Sequence, residues 1–308
     1  MYFMKNTLII IFICTTLNCF SQEENNDNKK EITKFEQLSK FPLASVSYTS
    51  YSNSRLYSDN HVRETSMSEI NADAQFVIKI KEKMTYFINR IHFNQFNNSG
   101  KEVSSKEYFH NKFYSIAYSA GIIRIINNKW KVIGILTPTI ASSFEKRIST
   151  NDFILQSSII ASKRVNRYFE YGFGLSYSTR FGQGITIPLV SAKYKKNNFS
   201  FTAILPAYIS ASYHFKKHKI GLSMSTYGNL YNTNIDMITS YELDKLGYSR
   251  INIGTEFQMK IYKSLHLNIK GGISVRNKFE SINKDGNLEI SLSGENKSFF
   301  CTGLHILI

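Results

Sequence analysis

The chain has 308 residues, with 38 Lys and Arg against 23 Asp and Glu, a formal net charge of +15. That balance raises nucleic acid as a partner, but 19 Tyr, 23 Phe and only 4 Pro suit pleated strands and lipid interfaces better than a solvated basic surface. A mean hydropathy of −0.24 excludes a bundle of transmembrane helices, whereas 42 % apolar residues fit strands that alternate greasy and polar faces.

The first segment reads as a signal peptide over residues 1–22. Lys5 supplies the positive flank, Leu8 to Cys14 a short apolar core, and Cys19-Phe20-Ser21-Gln22 its end. The apolar run is too short to span a bilayer comfortably and meets Glu23 and Glu24 at once, which disfavours a membrane anchor. Asn18 stands before Cys19 where a lipoprotein signal wants a small residue. Removal of this segment leaves Cys301 as the one thiol, so neither an intrachain disulfide nor a cysteine metal site is expected. Residues 23–41 are polar and charged, and read as a flexible periplasmic lead-in or a small plug.

From Pro42 to Ile308 the pattern is repeated alternation, which predicts a β-barrel over 42–308. In 169–178, Phe169, Tyr171, Phe173, Leu175 and Tyr177 oppose Glu170, Gly172, Gly174, Ser176 and Ser178. The segments 251–261 and 265–275 divide in the same way, because side chains on a strand point alternately to its two faces. These runs reach ten residues or more, the length a tilted strand needs to cross a bilayer. Short basic turns are expected around 81–83, 127–129, 163–167, 195–198, 216–219 and 262–264. The other connections are expected at 53–70, 97–111, 145–151, 180–184, 232–248 and 277–296, and a tight break at Leu205-Pro206-Ala207. The basic turns follow even strands and the other connections odd ones. With the N-terminus in the periplasm, this is the pattern of short inner turns and longer outer loops. The expected fold is therefore all-β: a transmembrane antiparallel up-and-down β-barrel of about fourteen strands, with twelve possible. Segments 84–96 and 152–161 alternate poorly, and Pro206 could mark a kink in one longer strand.

Within 184–232 stand Ile187-Pro188-Leu189, Leu205-Pro206, Tyr213, Gly221-Leu222 and Gly228 to Tyr231. This stretch resembles an uncharacterised family of outer-membrane barrels of Bacteroidota-type bacteria, catalogued as a domain of unknown function. The resemblance implies a barrel in the cell outer membrane and brings no catalytic residues. Such barrels commonly finish on an aromatic residue that assists insertion; this chain ends in Ile308, with the alternation of Phe300, Leu304 and Ile306 retained.

Lys81, Lys83, Lys129, Lys131, Lys163, Arg164, Arg167, Lys195, Lys196, Lys216, Lys217, Lys219 and Lys263 fall at the expected periplasmic rim, while most carboxylates fall in the expected outer loops. Such a rim meets anionic head groups or, around an open pore, draws anionic solutes inward. Glu170, Glu256, Lys260, His266 and Lys270 lie on polar strand faces and are candidate lumen-lining residues, with Glu256 and Lys260 placed to pair with Lys270 and His266. None of the seven His sits in a nucleophile or metal motif, and no phosphate-loop pattern occurs. No catalytic residue, cofactor or metal is therefore assigned. The function expected first is passive passage or uptake of small solutes. A surface or assembly role through the loops 53–70, 232–248 and 277–296 is the alternative, and an outer-membrane hydrolase the remote one. Expected partners are outer-membrane lipids, the barrel-insertion machinery and a small solute, not nucleic acid.

Overall fold

A computed structural model describes residues 42–58, 61–80, 84–103, 106, 108–145, 147–233, 245–283 and 288–307. The expected signal peptide and lead-in lie outside the described residues.

Strands β1 (Ala44–Ser58), β2 (His61–Ile80), β3 (Thr85–Glu102), β4 (Tyr108–Ile125) and β5 (Trp130–Ser142) follow one another as antiparallel neighbours. They lead to β6 (Phe153–Arg164), β7 (Phe169–Ser178), β8 (Ile185–Lys196), β9 (Phe199–Leu205) and β10 (Tyr208–Phe215). The wall is completed by β11 (His218–Asn232), β12 (Lys245–Tyr262), β13 (Leu265–Ile282), β14 (Leu288–Gly294) and β15 (Lys297–Ile306). β14 and β15 run in succession along the same gap between β13 and β1, so they form one interrupted wall strand. The sheet thereby closes on itself as a barrel of fourteen wall strands, and closure leaves no sheet edge unpaired around most of the circumference.

Alternation sorts the side chains. Phe173, Leu175, Tyr177, Ile159, Leu155, Ile220, Leu222, Ile253, Ile273 and Phe300 stand exposed on the outer face. Ser115, Ser162, Ser191, Ser210, Asn252, Glu256 and Asn268 are buried on the opposite face of the same strands. A water-soluble sandwich hides its apolar face. This wall presents it outward, as a barrel in lipid must.

The end bearing the tight turns is here the turn end. Asn127 and Asn166 each accept two backbone amides with their side-chain oxygens, at 2.8–3.0 Å, and so close the β4–β5 and β6–β7 turns. Asn197, Lys216 and Lys263 adopt left-handed φ in three more.

The opposite, loop end departs from expectation. Segments 53–70 and 277–296 were expected as long loops, yet β1 and β2 run to Ser58 and from His61, and β13 and β14 run to Ile282 and from Leu288. Their greasy–polar alternation fades because these stretches rise beyond the lipid, while backbone pairing continues. Segments 84–96 and 152–161, irregular in sequence, are strand throughout apart from Met84, a turn residue, and Asp152, which closes a short 3₁₀ turn. Pro206 marks a hairpin and not a kink: Ile204 pairs with Tyr208 across it.

Candidate functional site

The outer ends of β11, β12 and β13 leave the cylinder and fold across the loop-end mouth. A line of irregularities marks the crease. Register slips between Ser249 and Ile251 on β12, Arg276 has a φ of 52°, the wall strand breaks at Glu295-Asn296, and β1 slips between Tyr51 and Ser54. These positions are neighbours across the sheet, so the bends add at one height; a bulge turns a strand and re-aims its side chains. The result is direct backbone contact between strands on opposite sides of the wall. Ser143 N donates to Asn232 O at 3.3 Å, and Asn232 on β11 stands in register with Ser142 on β5.

A fourteen-stranded lumen is wider than side chains alone can fill, but with the flap folded in they meet. Tyr248 on β12 stacks on Phe96 of β3 at 4.4 Å between ring centres, and Tyr231 of β11 lies 5.2 Å from Phe113 of β4. Tyr51, Leu56, Met67, Leu246, Phe279 and Phe299 complete a dry cluster. Phe96, Phe113 and Tyr231 have no exposed surface at all. Each such ring contributes roughly 1.5–3 kcal/mol when buried, which sets the scale of what holds the flap down.

Several polar groups inside this cluster are matched across the mouth. Arg250 of β12 pairs with Glu69 of β2, and Tyr248 OH donates to the same Glu69 Oε1 at 2.7 Å. The Arg250 guanidinium also lies 4.1 Å from the Tyr51 ring centre, 5.0 Å from Tyr248 and 5.6 Å from Phe96, a cation caged by aromatic faces. Tyr231 OH donates to Asn94 at 2.7 Å, Asn252 Nδ2 to Tyr51 OH at 3.0 Å, and Asn232 Nδ2 to Asp152 Oδ1 at 3.0 Å. Asp152 sits in the 3₁₀ turn Thr150–Asp152, capped by Ser149, whose amide donates to Asp152 Oδ2 at 2.5 Å. Burial pushes the Asp152 carboxyl up, but the Ser149 amide and the Asn232 and Ser142 side chains outweigh it and hold it below the usual aspartate value.

Below the cluster, toward the turn end, the interior is polar and charged. Glu256 accepts from Lys219 at 2.9 Å and from Asn268 at 3.1 Å, and lies 3.3 Å from Lys270. Glu170 lies 2.6 Å from Lys131. Of the five sequence candidates, Glu256 and Lys270 are brought together, and Glu170 takes a partner the sequence did not suggest. Lys260 is exposed at the turn end. His266 stands opposite it in register, while its Nδ1 lies 3.3 Å from Gln258 Nε2. Lys131 and Lys219, expected on the rim, instead turn into the lumen, since each lies one strand position further in than the turn itself. Ser200 Oγ lies 2.9 Å from both His214 Nε2 and Ser212 Oγ, a contact that a serine-rich lining produces without any catalytic arrangement. Among the described residues no group of three His, Cys, Asp or Glu could hold a metal.

Sequence reasoning missed Glu69, Tyr248 and Arg250, because it placed the first two in loops and gave the third no role. The available signal was large residues alternating with very small ones: Leu246, Tyr248 and Arg250 separated by Gly247 and Ser249, and Met67 and Glu69 by Ser68.

Residues 33–290 match the family described as the DUF6268 domain of unknown function. The chain belongs to this family. No curated protein matches it. Among solved structures it is similar to a deletion mutant of the TodX monoaromatic hydrocarbon channel, with a TM-score of 0.47 and 7 % identity over 86 % of this chain and 89 % of that one. It is also similar to the NanC porin, with a TM-score of 0.40 and 7 % identity over 86 % and 100 % of the two chains. The translocator domain of the autotransporter NalP from Neisseria meningitidis gives 0.38 and 9 % over 92 % and 94 %. At such identities the likeness concerns the barrel fold and nothing finer.

Proposed function

We propose that this family member sits in the cell outer membrane as an exported barrel and passes small solutes through a gated lumen. Its turn end then faces the periplasm and its loop end the outside, following the general asymmetry of such barrels. The observation that carries the reading is the contrast along one lumen: polar and charged at the turn end, closed by an apolar cross-barrel cluster at the loop end. A barrel with a purely structural role has no need of a charged lumen that ends on a folded flap. Passage requires the flap to lift, so the expected conductance is intermittent and not that of a standing pore.

Planar-bilayer recording tests this. The wild type should be closed for most of the record, and a Phe96→Ala/Tyr248→Ala variant, in which the stacked pair is lost, should open far more often. Silence in both proteins, with the variant shown to be folded by heat-modifiable gel mobility, overturns the reading.

A further inference from the structure

The wall is incomplete on one side. β9 has 7 residues and β10 has 8. Seven residues at ~3.3 Å each, tilted by ~40°, rise only about 18 Å, short of the ~25 Å apolar band of such barrels. The β9–β10 hairpin therefore ends inside the hydrocarbon layer, and its tip is built for that depth. Leu205 is exposed, and Pro206 has no amide to satisfy. The remaining tip groups are bonded internally: Ala207 N to Ile204 O at 2.8 Å, Thr226 N to Ala207 O at 2.9 Å, and Thr226 Oγ1 to Pro206 O at 3.2 Å. Nothing there asks for water.

Above this tip the neighbouring strands lose their partners. The β8–β9 pairing ends at Val190–Leu205 and the β10–β11 pairing at Tyr208–Ser225. Residues 185–189 of β8 and most of 226–232 of β11 are thus paired on one side only, and they flank a window through the wall. The inward folding of β11 opens it further. The segment Thr179–Gln183, between β7 and β8, crosses the window. Arg180 donates to Thr226 O at 3.3 Å, Thr179 Oγ1 lies 3.3 Å from Asn229 Oδ1, and Gln183 donates to Glu280 at 3.2 Å. Gly247 lets this segment approach, because a Cβ there would fall 2.1 Å from Gly182 O. Its attachments are hydrogen bonds of side chains, with no strand pairing to β11 or β12.

The lumen behind the window is also unlike the polar interior expected of a water-filled pore. Ile133 pairs with Ile160, Ile160 with Gly174, and Gly174 with Leu189, all on the inward face. Ile135, Ile187 and Ile204 share that face; Glu256 and Lys270 lie on β12 and β13, outside this strip, and the Lys131–Glu170 pair lies at its turn-end margin on β5 and β7.

We infer that this window is a lateral portal through which a small alkyl-chain molecule moves between the apolar lumen strip and the surrounding lipid layer, with Thr179–Gln183 as its shutter. The portal rests on the reading of the lumen as a solute path, and adds the apolar class and the sideways route. The test uses the full protein in lipid nanodiscs, photolabelled with an alkyl diazirine, and compares it with a shutter-locked form. The lock is Thr179→Cys/Asn229→Cys in a Cys301→Ala background, bridged by a short bis-thiol reagent. Label on lumen-facing Ile187, Leu189 and Ile204 is expected in the unbridged protein and should be lost on bridging, while label on outward-facing Val190 and Leu205 stays. Label confined to the outward positions, or lumen label unchanged by the bridge, overturns the portal. Unbridged double-cysteine protein that labels like wild type shows that the variant folds. Gated conductance without lumen labelling would sink the portal and leave the solute path; lumen labelling in a barrel that never conducts would do the reverse.

Discussion

Arg250 on β12 and Glu69 on β2 form an ion pair across the mouth of the barrel, each only 2 % exposed, although β13, the β14–β15 strand and β1 separate them along the wall. No straight fourteen-stranded cylinder brings these two groups together. Their meeting depends on the crease at Arg250, Arg276, Glu295-Asn296 and the Tyr51–Ser54 slip, which aims the ends of three strands inward.

Removing one member of that pair strands the other in a dry, aromatic cage. Glu69→Ala should destabilise the closed flap by about 3–5 kcal/mol, the usual cost of an uncompensated buried charge. The flap can escape by lifting, so the loss in global unfolding should be smaller than the loss in closure. Hydrogen exchange at 246–250 should rise steeply while melting in detergent shifts modestly. The Glu69→Leu/Arg250→Met double variant, which removes both charges, should recover most of the protection; failure to recover would mean that packing and not charge matching holds the flap.

Tyr231→Phe keeps the ring against Phe113 and deletes the hydroxyl that donates to Asn94. Asn94 Nδ2 still donates to Asn71, but its Oδ1 loses its tyrosine donor in a buried place, and a cost of roughly 1–3 kcal/mol is expected. It should appear as faster exchange at 226–232, with strands β6 to β10 unaffected. A uniform change around the barrel would argue that the flap is no independent unit.

Closure should weaken in strong acid through Asp152. Its folded carboxyl is held below the ordinary value of 3.8, so its contribution is fully present above that value and is lost as pH falls through the lower, folded one. Protection at Asn232 and Ser149, measured against the intrinsic exchange rate at each pH, should therefore be flat near neutrality and fall below about pH 4. In Asp152→Asn the fall should vanish, with looser closure at every pH. An acid response unchanged by that substitution would assign it to another group.

Gly254 and Gly272 face each other across β12 and β13, and a Cβ on Gly272 would fall 2.1 Å from Ile253 O. Gly272→Leu is expected to cost about 1–3 kcal/mol by overpacking, visible as a lower transition temperature in heat-modifiable gel mobility. Gly134, which has nothing within 4 Å of such a Cβ, should accept Ala with no loss.

The barrel was legible wherever lipid imposes its rule. In 169–178, 251–261 and 265–275 one face must be greasy and the other need not be, and the period of two survives in the sequence. Where strands rise past the lipid that rule lapses. Segments 53–70 and 277–296 consequently read as loops although their backbones stay paired. The surface-binding alternative loses two of its three expected loops on that account, and 234–244, most of the third, lies outside the described residues. Glu256 and Lys270 were legible as a pair because they are register neighbours on a hairpin. Arg250 with Glu69, and Tyr231 with Asn94, were not, since contacts across a lumen follow from a bend in the wall, and no local pattern encodes which strands that bend brings together.

The flap itself is open to one direct measurement. Asn232 and Ser142 are register partners on strands from opposite sides of the wall; paired strands run about 4.8 Å apart, inside the Cα separation a disulfide spans. In an Asn232→Cys/Ser142→Cys protein lacking Cys301, inserted in membranes and treated with a mild oxidant, a bond should form readily and nearly completely, and bilayer conductance should be abolished until reduction restores it. Two thiols that stay free and react with maleimide under the same conditions would show that the strand ends do not cross the mouth.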